Sequence, residues 1–109
     1  TEAVHVTGLF NEYGELLCIA EDIGRYNALD KVIGRALIKG LDLSRTVLAL
    51  SGRMPSDMVL KIARADIPVA ISVAYPTIEG IKKARELNVT LITVRDKIYV
   101  HSIPERVEI

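Results

Sequence analysis

Eleven consecutive residues, Glu21 to Lys31, concentrate side chains that can do chemistry. They read Glu-Asp-Ile-Gly-Arg-Tyr-Asn-Ala-Leu-Asp-Lys and stand where an apolar strand pattern ends and an amphipathic helix pattern begins. The start of a helix exposes unpaired backbone N–H groups and a partial positive charge, which suit an anionic ligand. A cap needs only one Asp or Ser, so the pattern favours a binding role; a solvated, charged helix face is the alternative.

A second polar cluster, Ser51-Gly52-Arg53, lies between an apolar run and the helix start at Pro55-Ser56-Asp57. Gly52 lets the backbone come close to a ligand, and Arg53 can make two hydrogen bonds to a phosphate or carboxylate. A third candidate runs from Ser72 to Thr77. Ligands in open α/β sheets sit beyond the carboxyl ends of the strands, so we expect one composite cleft. A plain turn and N-cap is the competing interpretation of the second cluster.

The cysteine and the histidines are less informative. Cys18 alternates with apolar neighbours in a strand pattern, which is typical of a small core residue rather than a nucleophile. His5 is flanked by valines and is predicted to be a buried histidine, while His101, near the end of the chain, is interpreted as a surface residue.

The elements that position these clusters follow from hydrophobic periodicity. Strand patterns cover residues 3–10, 15–21, 46–50, 69–73, 90–94 and 98–101, with a hairpin turn at 11–14. Helical patterns end at Gly40, at about Ala65 and at about Leu87. The order β-β-α-β-α-β-α-β-β predicts an α/β fold in two or three layers. Its sheet is expected to be mixed and mostly parallel, with an N-terminal β-hairpin as an antiparallel edge.

Composition narrows the class of protein. The chain has 109 residues, half of them hydrophobic, and equal numbers (14) of basic and acidic side chains, so we expect one domain, 1–109, that is not a dedicated nucleic-acid binder. No apolar run reaches the roughly 20 residues that span a bilayer, so no membrane partner is expected. A single cysteine suits the reducing cytoplasm. The chain begins without Met, from which we expect a domain cut from a longer protein.

The strand order and loop placement resemble the cytidine-deaminase fold. Deaminases hold zinc with His-x-Glu at one helix start and Pro-Cys-x-x-Cys at the next. The corresponding starts here carry Gly24-Arg25-Tyr26-Asn27 and Ser51-Gly52-Arg53-Met54-Pro55, which lack those ligands. The sequence therefore excludes zinc deamination, and we expect no zinc.

The stretch from Glu21 to Lys31 closely resembles the signature of the FdhD family, the formate dehydrogenase accessory sulfurtransferases, which reads Glu-Asp-Val-Gly-Arg-His-Asn-Ala-x-Asp-Lys. Three further segments resemble family elements: Thr1-Glu2-Ala3-Val4-His5 the opening Thr-Gly-Gly-x-His, Ser51-Gly52-Arg53 with Ser56-Asp57-Met58 the next motif, and Pro104-Glu105-Arg106 the ending. Arg95-Asp96-Lys97-Ile98 stands where the family carries a cofactor-binding Arg-Gly-x-Arg. The resemblance covers essentially the whole chain.

The resemblance implies a function, a ligand and partners. Family members are described as homodimers that pass sulfur from a cysteine desulfurase to the molybdenum bis(molybdopterin guanine dinucleotide) cofactor of formate dehydrogenase. The ligand expected here is that cofactor, or a guanine nucleotide resembling part of it, which agrees with anion binding at the helix starts. Together with those helix starts, the resemblance assigns these residues to cofactor binding: His5, Asp22, Gly24, Arg25, Asn27, Asp30, Ser51, Gly52, Arg53, Arg95 and Lys97.

Departures from the family pattern leave three hypotheses open. The family's sulfur-carrying Cys-x-x-Cys is absent from these residues, Tyr26 replaces His, Glu2-Ala3 replace Gly-Gly, and Asp57 replaces Glu. Cys18 is in the wrong place to substitute for the missing motif, so no catalytic residue is assigned and enzymatic activity is left open. The chain is interpreted as the carboxy-terminal domain of a sulfurtransferase. The alternatives are a stand-alone protein that binds the cofactor or a guanine nucleotide without transferring sulfur, and a purely structural dimerisation module.

Overall fold

The computed structural model describes residues 4–107. Within that range the chain forms six strands and three α-helices in the predicted order. The elements are β1 (His5–Asn11), β2 (Leu16–Asp22), α1 (Arg25–Ile38), β3 (Thr46–Leu50), α2 (Ser56–Arg64), β4 (Val69–Ser72), α3 (Ile78–Leu87), β5 (Thr90–Val94) and β6 (Ile98–Val100). Short 3-10 turns at Leu43–Arg45 and Pro104–Arg106 complete the trace. Ala3, the first residue of the first predicted strand, lies outside the described residues, as do Thr1 and Glu2 of the opening motif.

The strands make one sheet in the order β2-β1-β3-β4-β5-β6. β1 pairs antiparallel with both β2 and β3, and β6 pairs antiparallel with β5. β3, β4 and β5 are parallel. The predicted mixed sheet with an antiparallel hairpin at one edge is confirmed, and its parallel part is the three-stranded centre.

The three helices cover the same face of the sheet, which makes the described fold a two-layer one. α1, α2 and α3 each connect a strand to a parallel strand further along the sheet in the same direction, and right-handed crossovers then place all three helices on one side. The burial pattern of β3 agrees, because Leu48 and Leu50 are buried while Val47 and Ala49 between them are only half-buried. One hydrophobic core lies between the sheet and the helices and contains Leu9, Cys18, Val32, Met58 and Leu91, among others.

The helix ends differ in how they are capped. α1 begins after Gly24 and α2 after Pro55, and neither helix start receives a hydrogen bond from a capping side chain. α3 is capped by Thr77, whose Oγ1 accepts the N–H of Gly80 at 2.9 Å. The predicted end of α1 at Gly40 is confirmed, with a φ of 72°. No helix within residues 4–107 is both long and apolar enough to cross a membrane.

Candidate functional site at the carboxyl edge of the sheet

One edge of the sheet collects the predicted site loops. β2, β3, β4 and β5 end there, and the antiparallel β1 begins there. The ends of β2 and β5 are four strand intervals apart in the order β2-β1-β3-β4-β5, which is about 19 Å at about 4.8 Å an interval. The composite cleft expected from the sequence therefore corresponds to a row of loops along one edge, with different residues at its two ends.

Asp22 organises the loop between β2 and α1. Its Oδ1 accepts the N–H of Gly24 at 2.9 Å, and its Oδ2 lies 2.7 Å from Nζ of Lys31, one and a half turns into the helix. The Lys31 ammonium and then the Gly24 N–H hold the pKa of Asp22 down to about 2, with a smaller contribution from Asn27. Asp22 is thus a permanent anion at neutral pH. It fixes the entry into α1, and its charge is matched by Lys31.

His5, Arg25 and Gly52 meet where α1 and the loop after β3 come together. A Cβ placed on Gly52 would lie 3.2 Å from Nδ1 of His5 and 3.5 Å from Cβ and Cδ of Arg25. Gly52 is buried, and the other two residues are half-buried. The motif residues from β1, α1 and the β3 loop, 20 to 47 positions apart in the chain, are therefore neighbours in the fold. The valine neighbours of His5 predicted a buried core histidine. His5 is instead half-buried and lies beside Gly52.

The loop after β3 is held in place from two sides. Ser51 belongs to the sheet, because its Oγ accepts the N–H of Val6 at 3.0 Å and its own N–H donates to the Val6 carbonyl at 3.1 Å. Ser72 Oγ donates to the Gly52 carbonyl at 2.6 Å, which ties the loops after β3 and β4 together. Arg53 stays exposed at the surface of this fixed loop. No side chain caps α2, so the N-cap part of the plain turn and N-cap interpretation is not observed.

Arg95 marks the other end of the row. Its Nη1 donates to the Val73 carbonyl at 3.1 Å, and its guanidinium carbon lies 5.5 Å from the centre of the Tyr75 ring. An open cleft of about 530 Å³ is lined here by Val73, Val94, Arg95 and Asp96. A guanidinium that already has one carbonyl and one aromatic face beside it is pre-oriented and still has donors to offer a ligand.

Three aromatic rings beside Arg95 form a cluster that the sequence patterns did not assemble. The rings of Tyr75 and Tyr99 meet edge to face with centroids 5.5 Å apart, and Tyr99 stacks on His101 at 6.4 Å. His101 was expected at the surface but is half-buried, with Nε2 2.8 Å from Oγ1 of Thr93, and burial lowers its pKa. The available signal was the alternation along the strand predicted over 98–101, which places Tyr99 and His101 on one face.

Two predicted site residues have other engagements in the structure. Asp30 accepts hydrogen bonds from Nζ of Lys61 at 3.1 and 3.3 Å, which joins α1 to α2. Lys97 is exposed, and its carbonyl accepts the N–H of Arg95 in the tight turn between β5 and β6. Both assignments to ligand binding stay predictions, and the contacts seen for these two residues are structural ones.

Comparison with known proteins supports the family resemblance found in the sequence. Residues 1–108 match the model of the FdhD/NarQ family. The chain is 46% identical over 93 residues to a sulfur carrier protein FdhD of Streptomyces avermitilis, covering 84% of this chain and 33% of that protein. It is 43% identical over 106 residues to a sulfur carrier protein FdhD of Wolinella succinogenes, covering 94% of this chain and 37% of that protein. The chain thus spans between a third and two-fifths of the length of these curated relatives.

Solved structures agree with the fold. A crystal structure described as a formate dehydrogenase accessory protein from Desulfotalea psychrophila matches with a TM-score of 0.89 and 40% identity, over 99% of this chain and 49% of that one. A diaminohydroxyphosphoribosylaminopyrimidine deaminase/reductase from Thermotoga maritima matches with a TM-score of 0.65 and 17% identity, over 80% of this chain and 28% of that one. The second likeness shows that the predicted deaminase-like fold is correct and carries nothing about activity.

Proposed function

Because this chain belongs to the FdhD/NarQ family, we propose that it is the cofactor-holding unit of a formate dehydrogenase accessory protein. In this role the carboxyl edge of the sheet binds the guanine-dinucleotide end of the molybdenum cofactor while sulfur is delivered to it. The observation that carries the proposal is the meeting of Arg25, His5 and Gly52 beside two helix starts that no side chain caps.

The junction of α1 and the β3 loop suits a phosphate. The first turn of a helix presents N–H groups that need acceptors, and here α1 and α2 both begin without a side-chain cap. Arg25 and the exposed Arg53 add positive charge, while Asp22 is already neutralised by Lys31. Gly52 leaves open the space that a Cβ would fill between His5 and Arg25. A dianionic phosphate would satisfy the uncapped N–H groups and the arginines together.

The far end of the row suits a second part of an extended ligand. Arg95 follows β5, and Tyr75 beside it follows β4. Tyr99 and His101 pack against Tyr75 from β6 and the residue after it, whereas Arg25 follows β2. A ligand that engages both ends must extend along the edge, as a dinucleotide does and a lone phosphate does not. This extent favours the guanine-dinucleotide end of the cofactor over a small anion.

Sulfur delivery is proposed to come from outside these residues. Cys18 is the single cysteine of the sequence, and it is 5% exposed on the helix-covered face of the sheet. Attack on a persulfide needs an accessible thiolate, so a core thiol cannot take sulfur from a donor and hand it on. The cysteine desulfurase, the formate dehydrogenase and homodimer formation, which the family resemblance implies, stay predictions. A cytoplasmic location, expected because a lone free thiol suits a reducing compartment, also stays a prediction.

Calorimetry with GDP and guanosine tests the ligand assignment. We expect GDP to bind and guanosine to bind much more weakly. Arg25→Ala should weaken GDP binding about tenfold or more, since a hydrogen bond to a charged group contributes about 1.5–3 kcal/mol. Arg64→Ala is the matched control, because Arg64 is an exposed arginine in the last turn of α2, away from this edge. Absence of GDP binding to the wild type, or equal losses in both variants, would overturn the assignment.

A sulfur-labelling experiment tests the division of labour separately. The purified chain is incubated with a cysteine desulfurase and radiolabelled cysteine. We expect no stable label on the protein. Stable label on the wild type that disappears in Cys18→Ser would show that this chain carries sulfur itself.

A further inference from the structure

The face of the sheet opposite the helices is apolar and open. Val6, Leu16, Ile19 and Val73 project on this side with exposed fractions of 37%, 52%, 51% and 57%. No helix covers this face in the described part of the chain, because all three crossovers lie on the other side. A contiguous apolar surface of this kind marks an interaction site.

The strands themselves are built to be covered on both faces. β3 reads Thr-Val-Leu-Ala-Leu and β4 reads Val-Ala-Ile-Ser, without the alternation of polar residues that a solvent-facing strand shows. On the helix side Leu48 and Ala70 are fully buried, whereas Val47 and Ile71 on the other side are only half-buried. The helices of the described chain therefore bury one face of these strands. Burial of the opposite face needs a second layer.

A groove on this face shows what shape the second layer has. It has a volume of about 290 Å³, no charged residue of the described chain lines it, and it passes over Gly8 between Phe10 and Leu16. A Cβ on Gly8 would lie 3.3 Å from the Phe10 ring and 3.4 Å from Leu16, so the missing side chain deepens the groove. The occupant must present projecting apolar side chains to a concave surface.

We propose that this open sheet face is the docking surface for a polypeptide equivalent to the part of the FdhD relatives that this chain does not match. The relatives contain that additional chain, since the matched region is 33% and 37% of the two curated proteins and 49% of the solved Desulfotalea protein. The matched region of the solved relative has the same fold at a TM-score of 0.89, so the helices of that region cover only one side of its sheet as well. A second copy fits less well, because a two-fold contact would set the concave groove against itself.

The docking surface adjoins the carboxyl edge of the sheet, where the candidate site lies. Val73 lines both the apolar groove and the cleft beside Arg95, and Ser51 lines the groove at the end of β3. A polypeptide packed in the groove therefore ends next to the row of site loops. The link to sulfur delivery rests on the proposed function: a thiol that reaches this edge would have to be carried by the docked polypeptide, because Cys18 faces the helices. Docking itself does not depend on that function.

Co-expression tests the docking surface. The chain is produced together with the unmatched segment of the relatives from Streptomyces avermitilis, Wolinella succinogenes and Desulfotalea psychrophila, each as a separate polypeptide. We expect a stable one-to-one complex with at least one segment. Ile19→Lys and Val73→Lys should each weaken the complex at least tenfold. Ile38→Lys should leave it unchanged, because Ile38 is equally apolar and 88% exposed but lies at the end of α1.

Three readouts make each outcome decisive. Thermal melts of the lysine variants show that they are folded, which is expected because Ile19 and Val73 are already half-exposed. Failure of all three segments to form a complex overturns the proposal, and so does a complex that Ile19→Lys and Val73→Lys leave intact. Sedimentation of the chain alone covers the other occupant: a dimer that Val73→Lys dissociates assigns the face to a second copy instead. GDP binding is measured in the same samples, so loss of docking and loss of the nucleotide site are scored independently.

Discussion

Gly80 is predicted to be the glycine on which the site loops depend most. It lies in the first turn of α3, and a Cβ placed on it would be 2.1 Å from the carbonyl oxygen of Met54 and 3.2 Å from Oγ1 of Thr77. The Met54 carbonyl also accepts the N–H of Thr77, and Met54 forms an isolated bridge with Pro76. Backbone therefore packs directly on backbone where the loop that carries Gly52 and Arg53 meets α3.

Gly80→Ala is expected to destabilise the fold by about 1–3 kcal/mol. The Met54 backbone must retreat by about 0.9 Å before the new contact reaches even 3.0 Å, and overpacking a well-packed site costs about 1–3 kcal/mol. Loss of the Thr77–Met54 hydrogen bond adds about 1 kcal/mol. The better helix propensity of Ala returns about 1 kcal/mol at most. For a domain of this size each kcal/mol lowers the melting temperature by roughly 4–8 °C.

Gly34→Ala is the matched control and should have the opposite sign. Gly34 lies in the middle of α1, and a Cβ there meets nothing within 4 Å. The substitution should stabilise the protein by about 0.5–1 kcal/mol through helix propensity alone. Chemical denaturation followed by circular dichroism measures both variants, and calorimetry with GDP then reports whether the Gly80→Ala loop shift weakens the site. A Gly80→Ala protein as stable as Gly34→Ala would refute the close packing of α3 on the loop.

Three further predictions concern titration and reactivity. The pKa of Asp22 is lowered to about 2, so the stability that Asp22 contributes is complete above its ordinary pKa of 3.8 and is lost as pH falls towards 2. Acid unfolding should therefore be less steep in Asp22→Asn than in the wild type. Equal steepness would contradict the pairing with Lys31. Burial lowers the pKa of His101, so the unfolded chain binds the proton first and stability falls as pH drops below about 6.5. His101→Gln should make the melting temperature depend less on pH between pH 7.5 and 5.5. An unchanged pH dependence counts against burial of His101. Cys18 is buried, so a thiol reagent should label it only on unfolding; rapid labelling of native protein would show an accessible thiol.

Much of the fold could be predicted because the strands and helices have strong local signals. The apolar run at 46–50 matches β3 (Thr46–Leu50) residue for residue, and the helix stop at Gly40 is a left-handed residue as a glycine there suggests. β4 ends at Ser72, one residue before the predicted end, because Ser72 Oγ accepts the N–H of Ala74 and turns the chain out of the ladder. The 3-10 turn at Leu43–Arg45 was missed, since it depends on Asp42 accepting the N–H of Ser44 rather than on periodicity.

The site could be predicted only in part because its two ends depend on different kinds of information. Arg25 and Gly52 lie in motifs at helix starts, and the rule that ligands sit beyond strand ends brings them together without knowledge of contacts. Tyr75 meets Tyr99 and His101 only because β6 folds back along β5, next to the loop after β4. No local pattern connects Tyr75 with residues more than twenty positions further along the chain.

The two faces of the sheet differ in how they are covered, and this difference follows from the strand sequences and the topology. Apolar strands such as β3 and β4 specify burial on both sides, while the chirality of the crossovers commits every helix of the described chain to one side. These two rules together leave one apolar face bare, and they place it against the same edge that gathers Arg25, Gly52 and Arg95. A partner on the bare face would lie next to the candidate site, because the topology places that face against the same edge of the sheet. Val73 lines both the cleft beside Arg95 and the apolar groove, so the bare face and the candidate site share a residue.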